Sequence, residues 1–273
     1  MSVKIEMGSS PLAPVETLAK LGSRHSSAYQ HAQPYAHVVL DDVFDETVID
    51  EVLREFKESD SAEEVSWKQY DTAHEKKLQM NRDLALGPIT RSFIHELNSA
   101  PFLEFLEELT GITGLIPDPH LVGGGLHKIA KGGKLGIHVD FNRHKRLRLF
   151  RRLNVIIYLN KDWQEAYGGH FELWDEKKEG CVKKVLPIFN RMAIFSTTST
   201  SFHGHPEPLT CQDDRFRRSL ALYYYTAEER GEQDSGAHTT IFLDEEGKRI
   251  KQEKPSLLRR VQNRLFSNDV EKP

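Results

Sequence analysis

The chain has 273 residues and a formal net charge of −4, with 38% hydrophobic and 29% charged residues. This composition is typical of a soluble globular protein, and its negative charge gives no reason to expect a nucleic-acid partner. No apolar run approaches the roughly 18 residues of a membrane-spanning helix, so we expect no membrane partner.

The N-terminus and the cysteines indicate a reducing compartment. The start "MSVKIEMGSSPLAP" lacks the basic residues, apolar core and cleavage site of a secretory signal. There are two cysteines, Cys181 and Cys211, which is too few for a disulfide framework. We therefore expect a cytoplasmic protein that folds as one domain over residues 1–273, while its oligomeric state stays open.

The first part of the chain predicts supporting elements. Residues 1–37 are expected to form a loosely ordered lead-in with a short helix around "PVETLAKLG", and residues 38–119 a strand with supporting helices. "AHVVLDDVF" has a strand pattern, and Asp45 is a good N-cap for a helix over "ETVIDEVLREFKE". Residues 59–87 are polar and irregular, which fits either a lid or a surface excursion. "PITRSFIHELNS" and "PFLEFLEELTG" predict two helices that back a sheet.

From residue 120 onward the pattern changes to strands. "LNVIIYL" is apolar on both faces, as expected for a strand between helices and a barrel interior. Residues 227–273 are predicted to be an extension ending in an amphipathic helix, "PSLLRRVQNRLF", that docks on the domain surface. The predicted fold class is α+β, mainly β, with a double-stranded β-helix, or jelly roll, over residues 120–226.

The segment "GIHVDF" predicts a metal site. Residues two apart in a strand point to the same side, so His138 and Asp140 converge on one point. A third ligand must come from a distant strand, and His203 and His205 are both candidates. Two imidazoles and one carboxylate form the facial triad of non-haem Fe(II) oxygenases, although the same ligands also suit Zn, Mn or Co.

Several segments resemble prolyl 4-hydroxylases, in order, over roughly residues 120–226. "IAKGGKLGIHVDF" resembles the strand before the metal pair, and "VIIYLNKDWQEAYGGHFELWD" resembles the next two strands. "PIFNRMAIFST" and "SFHGHPEP" resemble the strand and turn that deliver the distal histidine, and "RRSLALYYY" resembles the closing strand. The chain is therefore identified, by resemblance, as a member of the 2-oxoglutarate and Fe(II)-dependent oxygenase superfamily in its prolyl 4-hydroxylase-like branch.

This resemblance implies Fe(II), 2-oxoglutarate and O₂ as cofactors, with ascorbate as an accessory reductant. The implied metal ligands, which are also the catalytic residues, are His138, Asp140 and His203. The far carboxylate of 2-oxoglutarate needs a cation, for which Arg217 is the first candidate and Arg218 the second. The other cosubstrate-binding residues that we expect are Ser219, Tyr158 and Asn154.

The substrate pocket departs from the family pattern. Where prolyl hydroxylases commonly place tyrosines before the metal pair, this chain has Ile129 and Leu135. The basic stretch "NRHKRLRLFRR" follows the metal pair, where it would either attract an anionic substrate or form a solvated hairpin. The candidate substrate-pocket residues are His127, His170, Tyr223 and Arg143.

We therefore expect a hydroxylase acting on an unactivated C–H bond of a small molecule or a peptidyl, for example prolyl, residue, with release of succinate and CO₂. The first alternative is a cupin-like metal-binding sensor or scaffold, which would have no need of Arg217 and Tyr158. The second is a zinc hydrolase using the same ligands, which would need a general base but no buried arginine.

Overall fold

The computed structural model describes residues 15–60, 62, 67–228, 237–243 and 249–250. These residues form four α-helices, two short 3₁₀ turns and thirteen strands. The helices are α1 (Val15–Gln30), α2 (Glu46–Glu58), α3 (Pro88–Leu97) and α4 (Ala100–Thr110). The strands are β1 (His37–Asp41), β2 (Lys68–Asp71), β3 (Lys76–Met80), β4 (Ile116–Pro117), β5 (Gly125–Ile129), β6 (Leu135–Val139), β7 (Phe150–Tyr158), β8 (Phe171–Trp174), β9 (Cys181–Val185), β10 (Arg191–Ser196), β11 (His203–His205), β12 (Arg217–Thr226) and β13 (Ile241–Phe242).

The strands form two antiparallel sheets. The larger sheet has the order β1-β10-β7-β12-β5-β3-β2, with β4 paired to β12, and the smaller sheet has the order β13-β6-β11-β8-β9. From β5 to β12 consecutive strands alternate between the two sheets, except that β8 and β9 form a hairpin within the smaller sheet, and this is the connectivity of a jelly roll. The predicted fold class is therefore confirmed, and the predicted metal pair lies on the smaller sheet.

The helices bury the outer face of the larger sheet, and β7 shows how. Leu153, Val155 and Ile157 join the main hydrophobic core with residues of the helices, whereas Asn154 and Tyr158 face the other side. The predicted helix over "ETVIDEVLREFKE" is α2, and the Asp45 side chain accepts a hydrogen bond from the Thr47 backbone N–H at 2.8 Å. The two helices predicted to back the sheet are α3 and α4.

The short helix expected around "PVETLAKLG" is present as α1, but it continues to Gln30, so the expectation of a loosely ordered segment is wrong for residues 23–30. Leu18 and Tyr29 are buried, and the Tyr29 hydroxyl lies 2.8 Å from the Ser196 Oγ atom. Gly22 lets α1 approach α4 closely, because a Cβ there would lie 3.0 Å from the Phe105 carbonyl oxygen. The second half of α1 consists mainly of small and polar residues, so the sequence gives no apolar pattern that would predict its packing against α4.

The expectation that residues 59–87 are irregular is also wrong, because β2 and β3 form a hairpin that extends the larger sheet beside β5. The hairpin was missed because Lys77 and Gln79 alternate with Leu78 and Met80. Lys77 lines the cavity between the sheets, together with other charged residues such as Asp140 and Arg217, so a charged residue occupies an interior position there. A search for apolar interior positions cannot recognise such a strand.

The C-terminal extension adds β13, which pairs with the edge of β6 and places Phe242 opposite His138. The sequence did not predict this strand. The amphipathic helix predicted over "PSLLRRVQNRLF" lies outside the described residues. Among the described helices, none combines the length and the apolar character needed to cross a membrane.

Candidate functional site

Three of the predicted site residues meet between the sheets. His138 lies on β6 opposite His203 of β11, and Asp140 directly follows β6. One ligand atom from each residue lies within 4.8 Å of the other two. The Asp140 Oδ1 atom is 3.7 Å from the His138 Nε2 atom, and its Oδ2 atom is 3.3 Å from the His203 Nε2 atom. We call this group the His-Asp-His cluster.

The backbone fixes the orientation of both imidazoles. The His138 Nδ1 atom lies 2.9 Å from the Gly136 carbonyl oxygen, and the His203 Nδ1 atom lies 2.9 Å from the Ser201 carbonyl oxygen. Because a carbonyl only accepts, each Nδ1 carries the proton and each Nε2 keeps a lone pair directed at the cluster. Burial lowers the pKa of His138, and the nearby His203 lowers it further. The cluster thus offers a neutral imidazole in the form that binds metal ions.

Two side chains of β7 hold the Asp140 carboxylate. The Asn154 Nδ2 atom donates to the Asp140 Oδ2 atom at 2.7 Å, and an Arg151 terminal nitrogen lies 3.1 Å from the same oxygen. Arg151 also donates to the Asn154 Oδ1 atom at 2.8 and 2.6 Å. Burial alone would raise the pKa of Asp140, but the charge of Arg151, together with the contacts from His203 and His138, holds it well below its usual value. The carboxylate is therefore ionised and fixed in position.

Arg151 is a site residue that was not predicted from the sequence, where it is one of several basic residues in "NRHKRLRLFRR". The pairing of β12 with β7 shifts register between Tyr224 and Tyr225, so that Tyr225 lies opposite Arg151. Such a bulge re-aims a side chain. It places the Arg151 guanidinium 3.4 Å from the centre of the Tyr223 ring, inside the protein. No sequence signal separates this arginine from its exposed neighbours.

Arg217 provides a buried positive charge at the other end of the cavity that contains the cluster. Its side chain is 6% exposed, and its Nε atom donates to the Gly169 carbonyl oxygen at 2.7 Å. Burial lowers its pKa, against a smaller opposing effect of Tyr158. Within the described part of the chain, no carboxylate lies within 4.0 Å of Arg217. A buried charge without a partner is costly, which favours an anionic ligand at this position.

The Gly-Gly pair before β8 makes room for Arg217. Gly169 has φ +71°, and a Cβ there would lie 2.9 Å from the Arg217 Cδ atom and 2.5 Å from the Leu209 Cδ2 atom. Only glycine meets both the backbone and the space requirement. The Gly-Gly pair before β8 therefore leaves the space that the Arg217 side chain occupies.

His205 was the alternative third metal ligand, and Arg218 was the alternative cation for the far carboxylate of 2-oxoglutarate. His205 is not part of the His-Asp-His cluster, but it lines the same cavity, and burial lowers its pKa well below the usual value. Arg218 faces away from the cavity and donates to the Asp60 Oδ2 atom at 2.7 Å. His203 and Arg217 are therefore the residues that geometry places at the two ends of the cavity.

Other predicted residues divide into two groups. Ser219, Asn154, His127 and Tyr223 line the cavity. Tyr158 is not among the residues that line it, but the centre of its ring lies 5.0 Å from the Arg217 guanidinium. The Tyr158 hydroxyl and the His127 Nε2 atom are buried without a hydrogen-bond partner among the described residues. Burial lowers the pKa of His127 to about 3, so its ring is neutral.

His170 and Arg143 do not line this cavity. The His170 Nε2 atom contacts the Glu165 carboxylate at 2.5 Å, and the Arg143 guanidinium lies 5.3 Å from the centre of the Phe150 ring. Lys77 of β3 also lines the cavity, although it was not among the predicted site residues. Its position depends on the hairpin that the sequence analysis missed.

Comparison with known proteins agrees with this geometry. The family model described as the 2OG-Fe(II) oxygenase superfamily matches residues 124–225, which contain the His-Asp-His cluster and Arg217. These residues are similar to that superfamily. A curated relative, prolyl 3-hydroxylase OGFOD1 of Mus musculus, is 29% identical over 79 residues, which make up 28% of this chain. The match spans 14% of the length of that relative.

Solved structures show the same prolyl 4-hydroxylase-like fold. A prolyl hydroxylase from Trichoplax adhaerens, in complex with a peptide fragment of the hypoxia inducible factor, has a TM-score of 0.56 and 17% identity, with 77% of this chain and 91% of that chain covered. A prolyl-4-hydroxylase from Pseudomonas putida has a TM-score of 0.52 and 13% identity, with 77% and 99% covered. These similarities establish the fold.

Proposed function

We propose that this protein is an Fe(II)- and 2-oxoglutarate-dependent dioxygenase that hydroxylates an unactivated C–H bond. The observation that carries the proposal is the pairing, in one cavity, of the His-Asp-His cluster with Arg217, a buried cation that lacks a carboxylate partner in the described part of the chain. A metal-binding scaffold has no use for that cation, and a zinc hydrolase needs water rather than a dicarboxylate.

The cluster fits Fe(II) by its donor set. Two neutral imidazoles and one carboxylate on one side of a metal ion leave coordination positions for a cosubstrate and O₂. Each imidazole is oriented by a backbone carbonyl, and the carboxylate is oriented by Asn154 and Arg151. We therefore assign His138, Asp140 and His203 as the metal ligands.

The opposite end of the cavity fits the far carboxylate of 2-oxoglutarate. Arg217 keeps its terminal nitrogens for a ligand, because its Nε atom is the one bonded to Gly169. Ser219 lines the same cavity, and the centre of the Tyr158 ring lies 5.0 Å from the Arg217 guanidinium. We assign Arg217, Tyr158 and Ser219 to the cosubstrate, and Asn154 to the support of Asp140.

When bound, Fe(II) and 2-oxoglutarate supply the oxidising chemistry, in which O₂ and the cosubstrate yield succinate, CO₂ and the hydroxylated product. The chain itself provides geometry. Arg217 holds one end of the cosubstrate, the cluster holds the other, and apolar residues such as Ile156 and Phe171 keep water out of the space between. Arg151 and Asn154 prevent the Asp140 carboxylate from rotating away from the metal.

The test uses anaerobically purified protein with Fe(II) and 2-oxoglutarate. We expect the weak visible charge-transfer band of the chelate, and succinate after O₂ is admitted, with and without ascorbate as an accessory reductant. The absence of both band and succinate, with candidate substrates present, would contradict the proposal and favour the scaffold or the zinc hydrolase. His138→Ala should lose both signals. Arg217→Ala should mainly weaken cosubstrate binding, whereas Arg218→Ala should leave it unchanged.

We propose peptidyl proline as the first substrate class to test, because the relatives of similar sequence or fold are named prolyl hydroxylases. A small anionic molecule is the second class, supported by the exposed residues Lys145, Arg146 and Arg148 of the basic stretch. Succinate release above the substrate-free rate, measured with proline-containing peptides and with small carboxylated or phosphorylated molecules, separates the two classes.

A further inference from the structure

His205 is a buried histidine with unused hydrogen-bonding groups. Its side chain is 3% exposed, it lines the cavity together with Arg217, and neither ring nitrogen has a hydrogen-bond partner among the described residues. Buried polar groups are almost always hydrogen-bonded, so an unpartnered ring that faces a cavity indicates a ligand. His205 is not one of the three assigned metal ligands, so metal binding does not account for its unpartnered ring nitrogens.

The backbone directs His205 into the cavity. His205 and His203 are two residues apart on β11 and therefore point to the same side. However, the pairing with β6 shifts register, so that His203 lies opposite His138 and His205 lies opposite Leu135. Gly204 allows this close approach, because a Cβ there would lie 2.7 Å from the carbonyl oxygens of Gly136 and Leu135.

Of the two positively charged side chains that line the cavity with His205, one is paired with a carboxylate and the other is not. Lys77 also lines this cavity, but its Nζ atom lies 3.2 Å from a Glu75 carboxylate oxygen, so that pair is neutral as a whole. Arg217 has no such partner in the described part of the chain. A carboxylate would supply the single missing negative charge, and its two oxygens accept several hydrogen bonds.

We propose that His205 donates a hydrogen bond to the far carboxylate of 2-oxoglutarate beside Arg217, and that it thereby selects this dicarboxylate over 2-oxo acids that lack that group. This inference rests on the proposed function, since it deepens the assignment of the same cavity. It makes His205 a specificity-determining residue for the cosubstrate, separate from the metal ligands.

The experiment measures binding rather than turnover. The Mn(II)-loaded full chain is titrated with 2-oxoglutarate and, separately, with 2-oxobutyrate, which has the same metal-binding end but no far carboxylate. Two variants of similar side-chain size are compared: His205→Leu, which removes both ring nitrogens, and His205→Gln, which restores an N–H donor. Mn(II) affinity and the unfolding temperature are recorded for each variant, so that loss of the fold or of the metal site is seen directly.

We expect His205→Leu to weaken 2-oxoglutarate binding by about 10- to 100-fold, as for the loss of a hydrogen bond to a charged group. Binding of 2-oxobutyrate and Mn(II) should stay within about twofold, and His205→Gln should recover part of the 2-oxoglutarate affinity. Equal 2-oxoglutarate affinity in wild type and His205→Leu would overturn the inference and leave the proposed function intact. Equal losses for both 2-oxo acids would also overturn it. A wild-type protein that binds Mn(II) but not 2-oxoglutarate would overturn the proposed function as well.

Discussion

At the residue scale, Arg151 connects the cluster to the larger sheet. It contacts both the Asp140 carboxylate and the amide oxygen of Asn154, and it is 2% exposed. We predict that Arg151→Met weakens Mn(II) binding by about 10- to 100-fold, the usual effect of removing a group that orients a metal ligand. Titration with Mn(II), followed by calorimetry or electron paramagnetic resonance, measures this effect.

The matched control for Arg151 is Arg146→Met, which removes an exposed arginine of the same basic stretch. Mn(II) affinity should be unchanged in that variant because an exposed charge is well screened by solvent. If both substitutions reduced affinity equally, the effect would come from the general charge of the stretch, and the specific contact with Asp140 would not matter.

Gly169 gives a second prediction at this scale. In Gly169→Ala the new Cβ would displace Arg217, so we expect 2-oxoglutarate affinity to fall by at least about tenfold, as when a buried charged contact is misplaced. Gly114→Ala is the control, since Gly114 has a similar φ of +71° with no atom near the position of a Cβ. Both variants should lose about 1 kcal/mol of stability from the left-handed backbone. A Gly169→Ala protein that binds the Mn(II) and 2-oxoglutarate pair normally would contradict the role given to this glycine.

At the element scale, Glu55 of α2 holds the start of α3. Its buried carboxylate accepts hydrogen bonds from the backbone N–H groups of Ile89 and Thr90 and from the Thr90 hydroxyl, at 2.9, 2.7 and 2.7 Å. An amide presents one oxygen fewer and turns an NH₂ group toward donors. We predict that Glu55→Gln lowers the free energy of unfolding by about 1–3 kcal/mol, measured by urea denaturation.

The control for Glu55 is Glu51→Gln on the exposed side of the same helix, where the carboxylate pairs with Arg54 and is 50% exposed. An exposed pair contributes little, so the change should stay below about 1 kcal/mol. A Glu55→Gln protein as stable as the Glu51→Gln protein would show that the buried carboxylate does not fix α3 against α2.

The sequence predicted these elements unevenly, for physical reasons. Strands with apolar faces, such as β7 and β12, and a helix with a cap, such as α2, were recognised because burial and capping leave a local pattern. The β2–β3 hairpin was not recognised, because its residue Lys77 lines a cavity that also contains other charged side chains, such as Asp140 and Arg217. The turn of Arg151 toward Asp140 depends on a bulge between two strands that are distant in sequence, and no local pattern records such a register shift.

At the scale of the whole molecule, the site spans both sheets. His138 and His203 belong to the smaller sheet, whereas Arg217, on β12, and Asn154, on β7, belong to the larger one. A metal ion with 2-oxoglutarate bound would therefore connect the two sheets through one chelate. Under the proposed function, each ligand should strengthen the binding of the other by the same factor, because coupling between two binding sites is reciprocal.

We predict that this coupling appears in thermal unfolding. With Mn(II) and 2-oxoglutarate each at about 100 times its dissociation constant, each binding step should add about 2.7 kcal/mol to the stability of the folded state. The same concentration of 2-oxoglutarate should stabilise the metal-free protein far less, because it then loses the contact with the metal and keeps only the contacts around Arg217. Succinate, which lacks the 2-oxo group, should stabilise the protein weakly whether or not Mn(II) is present. A His138→Ala protein stabilised by 2-oxoglutarate as strongly as the Mn(II)-loaded wild type would show that the two ends of the cavity bind independently, and that the metal and the dicarboxylate do not share one chelate.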